Sequence, residues 1–181
     1  MTDALKEWSA AIHALLDGRQ RILLRKGGIH EKRFEVAARE FLLFPTVAHS
    51  HADRVRPEHR DLLEPAAPDS TEDVVTVRAA ARVVAATPVQ RPDGLAEIAD
   101  LHIWTAQSVR ADRLDFRPRH HLTVLVVQAF PLAEPMRLAR VPEYRGCTSW
   151  VRLPQAAPLG EPVHDDDELA AVAQRVRAAI S

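Results

Sequence analysis

A single cysteine, Cys147, excludes an internal disulfide and every multi-cysteine metal or iron–sulfur site. Aromatic residues make up only 5% of the chain, so few rings are at hand to stack on a ligand. The formal net charge is -1, which excludes a global field drawing nucleic acid or anionic membrane; any such attraction must be local. Long hydrophobic runs are missing too. The stretches 122–127 and 83–86 fall far short of the ~20 residues that span a bilayer. The opening Met1-Thr2-Asp3-Ala4-Leu5-Lys6-Glu7 lacks the basic-then-apolar pattern of a signal peptide, so a cytoplasmic protein without a membrane partner is expected. The chain contains no His-Glu-x-x-His, no Gly-x-Ser-x-Gly, no phosphate loop and no Glu-x-Lys element of the kind metal-dependent nucleases use.

What is present suits a globular α+β protein: 181 residues, 46% apolar and 27% charged. Leu5, Trp8, Ile12 and Leu15 recur at helical spacing up to Gly18 and predict a helix over 3–17 with Trp8 in the core. Beyond Gly18, alternation through Gln20, Ile22 and Leu24 predicts a strand ending at Gly27-Gly28. Phe41–Val47 reads as a strand with Pro45 at an edge or bulge. Residues 50–70 read as surface connection with a short helix near 58–63. Val74-Val75-Thr76-Val77 tips 74–87 towards a long strand despite its alanines. A helix is expected over 105–114, a central strand over 122–130 and a last short strand at Trp150-Val151. These elements predict a domain over 1–153 built on a small mixed or antiparallel sheet able to curl into a barrel. A linker over 154–164 and a C-terminal helix over 165–181 follow, the latter capped by Asp165-Asp166-Asp167-Glu168.

Three clusters carry candidate chemistry. Arg19, Arg21, Arg25, Lys26, Lys32 and Arg33 crowd one hairpin-sized segment, and alternation sets Arg19, Arg21 and Arg25 on one face. Gly27 and Gly28 beside them permit close backbone approach, so the segment reads either as a phosphate-following edge or as a solvated face offset by Glu35 and Glu40. Trp104 and Trp150, at element edges, either pack or stack on a base. Lys26, Glu40 and His49 form a candidate hydrolytic group. His49, His51, His59 and the pair His120-His121 lack a tight metal-binding pattern, so neither a metal nor a cofactor is expected. Cys147 reads as an inert thiol more readily than as a nucleophile.

Five ordered blocks resemble the bacterial domain-of-unknown-function family DUF 1802 over residues 4–153. They are Leu5-Lys6-Glu7-Trp8; Leu23 to Ile29; Glu40 to Thr46 with His49; His102-Ile103-Trp104-Thr105; and Gly146-Cys147 with Ser149-Trp150-Val151. The resemblance implies a cytoplasmic prokaryotic protein and brings no established activity. The opening, a helix ending at Gly18 and then a strand to Arg25, is also similar to ASCH domains of the PUA-like superfamily, with Gln20 where those domains carry lysine. That similarity implies a small barrel and RNA or modified nucleosides as partners.

The residues themselves support a nucleic-acid or nucleotide-binding module using the basic strand, with RNA or DNA as partner. Its expected contacts are Arg19, Arg21, Arg25, Lys26, Gly27, Gly28, Trp104 and Trp150. A hydrolase or nuclease at Lys26, Glu40 and His49 is the alternative, and a protein-interaction module a third.

Overall fold

The computed structural model describes residues 1–27 and 34–181. Six strands form one mixed sheet: β1 (Thr2–Trp8), β2 (Ile22–Lys26), β3 (Glu40–Thr46), β4 (Val74–Pro88), β5 (Leu122–Ala139) and β6 (Trp150–Leu153), in the order β2-β5-β4-β3-β1-β6. β1 runs parallel to β3, and every other neighbouring pair is antiparallel. The helices are α1 (Ser9–Leu16), α2 (His51–Arg54), α3 (Leu63–Ala66), α4 (Ala106–Val109) and α5 (Asp166–Ile180).

The first element corrects the sequence expectation. Residues 2–8 are a strand and only 9–16 a helix, because the spacing of Leu5, Trp8, Ile12 and Leu15 satisfies both geometries. β1 lies inside the sheet between β3 and β6. Leu5 faces the core shared with α1, and Ala4 faces the core on the other side. Burial on both faces replaces simple alternation with a continuous apolar pair. α1 then ends as the sequence indicates. Gly18 takes φ +78°, Arg19 N–H reaches the Ala14 carbonyl at 2.9 Å, and Gly18 N–H reaches that of Leu15 at 3.3 Å. These are the paired bonds of a Schellman termination, which a glycine in the left-handed region closes at least cost.

β4 is a strand over its full length, as its β-branched start predicts. β5 continues past Phe130 to Ala139 in spite of Pro131 and Pro135. The register steps from Val77↔Met136 to Ala79↔Pro131, so residues 132–135 bulge out and Pro135 owes the ladder no N–H. A second irregularity lies between Val83 and Ala85. These bulges help to coil the two long strands.

The sheet coils without closing. β2 and β6 remain its two edges, so the barrel expected from the sequence is not formed. α1 packs against β1, β3, β4 and β5, with Ile12 and Leu15 in one core and Ala10, Ala11 and Ala14 in another. α5 buries Leu169, Val172, Val176 and Ile180 in the same core as the inner alanines of α1. Its N-terminus is capped by Asp165, which accepts from Glu168 N–H at 2.8 Å. Among the described residues, no helix is long and apolar enough to cross a membrane.

Candidate anion-binding cleft

Coiling brings the C-terminal ends of β1, β2 and β3 (Trp8, Lys26 and Thr46) to one place. Arg25 on β2 donates to the Lys6 carbonyl at 3.0 Å and to Glu7 Oε2 at 3.2 Å, although these strands do not pair. This contact crosses the open seam of the sheet. Glu7 is 3% exposed, and its Oε1 accepts the Trp8 N–H at 2.8 Å. A buried carboxylate thus holds a largely buried guanidinium and turns the Trp8 backbone. The Arg25 guanidinium also stacks over the Phe34 ring, 5.2 Å from its centroid.

Above the seam lies a turn, Arg110–Asp115, whose backbone follows π-helical spacing as it continues α4. Such wide turns recur at functional sites because they push side chains out of the helical ladder. Lys26 fastens this turn to β2: its ammonium donates to the carbonyl of Arg113 at 2.8 Å and to that of Phe116. Arg117 follows with φ +50°, a left-handed backbone that strains a residue bearing a side chain, and its guanidinium covers the Phe116 ring.

Between turn and strands lies a cleft of about 350 Å³ lined by Lys6, Trp8, Arg25, Lys26, Arg113 and Arg117, with the Thr46 and Ser149 hydroxyls at its wall. Charge is unbalanced here. Of the lining cations only Arg25 meets a carboxylate; Lys6, Lys26, Arg113 and Arg117 form no ion pair among the described residues. Asp112, the acidic side chain of the lining, is taken by Arg54 at 2.6 Å. The Arg113 guanidinium makes no hydrogen bond among the described residues. Dense packing lowers its pKa, attraction from Glu7 opposes that, and Arg25 adds to the lowering. Lys26 is lowered by burial and then by Arg113 and Arg117; Lys6 is lowered chiefly by burial. Crowded, partly desolvated cations with spare donors are relieved by an anion.

The wall towards α4 is aromatic. Trp8 meets Trp104 edge-on at 5.5 Å and the His51 ring at 4.0 Å, and Arg54 lies over its face at 5.5 Å. His51 is 6% exposed, and burial with nearby Arg54 holds its pKa at about 4, so the ring stays neutral.

The sequence-derived candidates separate. Arg25 and Lys26 line the cleft with Gly27, whereas Gly28 falls outside the described residues. Arg19 is clamped by Asp61 at 2.7 and 2.8 Å, and Arg21 by Glu168 of α5 at 2.9 Å, both away from the cleft. Trp104 is buried at 7% behind Trp8. Trp150 packs on Phe34 and Phe41 and donates to the Glu35 carbonyl at 3.2 Å. Glu40 sits opposite Arg82 at the far end of β3 from Thr46, about 20 Å away at ~3.3 Å per residue. His49 lines a neighbouring groove of about 1050 Å³ that meets the cleft at Lys6, Thr46 and Gly146. Lys26, Glu40 and His49 therefore do not share a site. Among the described residues no cluster suits a metal ion. Lys6, Trp8, Asp112, Arg113 and Arg117 line the cleft, and Glu7 and Arg54 pair with lining residues, without having been singled out as ligand contacts from the sequence.

The family model for a domain of unknown function, DUF1802, matches residues 4–175. The chain belongs to the DUF1802 family. The match takes in both walls of the cleft and most of α5, so the DUF1802 region holds every residue of the candidate site. No curated protein and no solved structure matches the chain.

Proposed function

We propose that this DUF1802 protein binds a phosphate-bearing ligand, a nucleotide or a single-stranded nucleic acid, in the cleft at the ends of β1, β2 and β3. The observation that carries this reading is the group Lys6, Lys26, Arg113 and Arg117 facing one cavity without a carboxylate partner among the described residues. Arg113 offers a planar fork to phosphate oxygens, and Lys6 and Lys26 add compact charge. Ser149 brings a further hydroxyl to the lining, while the Thr46 hydroxyl is spent on the Glu7 carbonyl at 3.1 Å, and the Trp8 ring, with Arg54 over its face, adds an aromatic wall. A volume of about 350 Å³ suits one nucleotide unit. The near-neutral chain needs no global attraction for this, since the excess positive charge is concentrated where the ligand enters.

The test is fluorescence anisotropy of labelled single-stranded and duplex RNA and DNA at low and physiological salt. Arg113→Gln/Arg117→Gln is compared with Arg19→Gln/Arg21→Gln. Salt-sensitive binding lost in the first pair and kept in the second supports the cleft. Loss in the second pair alone moves the ligand to the ion-paired strand edge. No binding at low salt removes the proposal.

A further inference from the structure

On the other side of the Arg110–Asp115 turn lies a second cavity, of about 260 Å³, separate in character from the cationic cleft. Its wall is made largely by Leu95, Ala96, Ala99, Trp104, Val109 and Leu114, supplied by α4, the turn and the helical segment Pro92–Leu101. One polar ring interrupts that wall. His102 is 3% exposed, and its Nδ1 accepts the Trp104 backbone N–H at 3.0 Å. A ring that accepts at Nδ1 carries its proton on Nε2 when neutral. Burial and the nearby Arg56 guanidinium hold its pKa at about 4, so it is neutral at physiological pH. Nε2 has no hydrogen-bond partner among the described residues, and the ring lines the cavity.

A donor that no protein group takes, set in an otherwise apolar wall, becomes a specificity device when a ligand acceptor replaces the water it meets. We infer that this cavity binds a small aromatic molecule, apolar except for one hydrogen-bond acceptor that seats on His102 Nε2–H. A dry cavity of about 150 Å³ is enough for benzene, so about 260 Å³ corresponds to a fused bicycle. The two charged residues of the lining, Asp93 and Arg110, are exposed and stand at the rim.

The test uses quinoline, whose ring nitrogen accepts, against naphthalene, which has the same shape and no acceptor. Both are titrated into the full-length protein at pH 7.5 and followed by protein chemical shifts. Quinoline is expected to bind saturably, about five- to tenfold tighter than naphthalene, as one added hydrogen bond implies. Ala96→Phe, at an exposed position on the cavity wall, is expected to abolish binding of both while the melting temperature is retained. Equal affinity for the two probes, no saturable binding of either, or binding that survives Ala96→Phe would each overturn the inference. Neither probe carries phosphate, so the result stands apart from the fate of the cationic cleft.

Discussion

Replacing Glu7 with Gln should destabilise the fold and strengthen anion binding at the same time. Glu7 is 3% exposed, and Arg25 has a side-chain exposure of 12%. Glutamine keeps an acceptor for the Trp8 N–H but turns an amide N–H₂ towards the Arg25 guanidinium, setting donor against donor. Breaking a buried pair typically costs about 3–5 kcal/mol. Arg25 retains the Lys6 carbonyl at 3.0 Å and the Phe34 ring, so the lower end of about 3 kcal/mol applies. At ~2–4 °C per kcal/mol for a chain of this size, the melting temperature should fall by about 6–12 °C. Asp61→Asn, at an exposed and solvent-screened pair with Arg19, should leave the melting temperature almost unchanged and serves as the control. Glu7→Gln also deletes a carboxylate that offsets Arg113, so phosphate affinity at low salt should rise and the gain should shrink as salt is added. A shift within about 2 °C in calorimetry, equal to the control, would refute the claim that this pair clamps the seam.

Gly94→Ala would place a methyl 1.8 Å from the Ala179 carbonyl oxygen, so the segment before Leu95 and the end of α5 must part; soluble yield and melting temperature should collapse. Asp165→Ala removes the cap on Glu168 N–H and should cost ~1 kcal/mol, a melting-temperature loss of about 2–4 °C. His51 and His102 are held at about 4 against 6.5 for the free ring. Because the folded pKa lies below the unfolded one, their stabilising contribution is complete above pH ~6.5 and is lost as pH falls towards 4, by ~1.4 kcal/mol per pH unit for each ring. Urea unfolding at pH 7.5 and 5.0 should show that loss. Imidazole C–H signals that instead titrate near pH 6.5 in the folded protein would contradict it.

Much of the sheet can be read from local chemistry, and β1 shows where such reading fails. Val74–Val77 names a strand through β-branching, and Gly18 marks the end of α1 through its backbone freedom. The run from Leu5 to Leu15 fits a helix wheel as well as a strand entering a helix. Only the long-range pairing of β1 with β3 and β6 decides between them. The same misreading hid the site. As part of a helix, Trp8 is core and Lys6 is solvated; as the end of a strand, both stand at a seam facing Lys26. Pro131 and Pro135 look like stops, yet a bulge lets β5 pass them. Arg25 and Lys26 are visible as candidates because charge clusters in sequence. Arg113 is not, because nothing near it indicates that a coiled sheet will bring the turn over the strand ends.

The most direct measurement is a crystal structure with a short 5′-phosphorylated single-stranded oligonucleotide. The account predicts a phosphate within hydrogen-bonding distance of the Arg113 guanidinium and the Lys26 or Lys6 ammonium, with the adjoining base against Trp8. A phosphate bound at Arg19 and Arg21, with the cleft unoccupied, would contradict it.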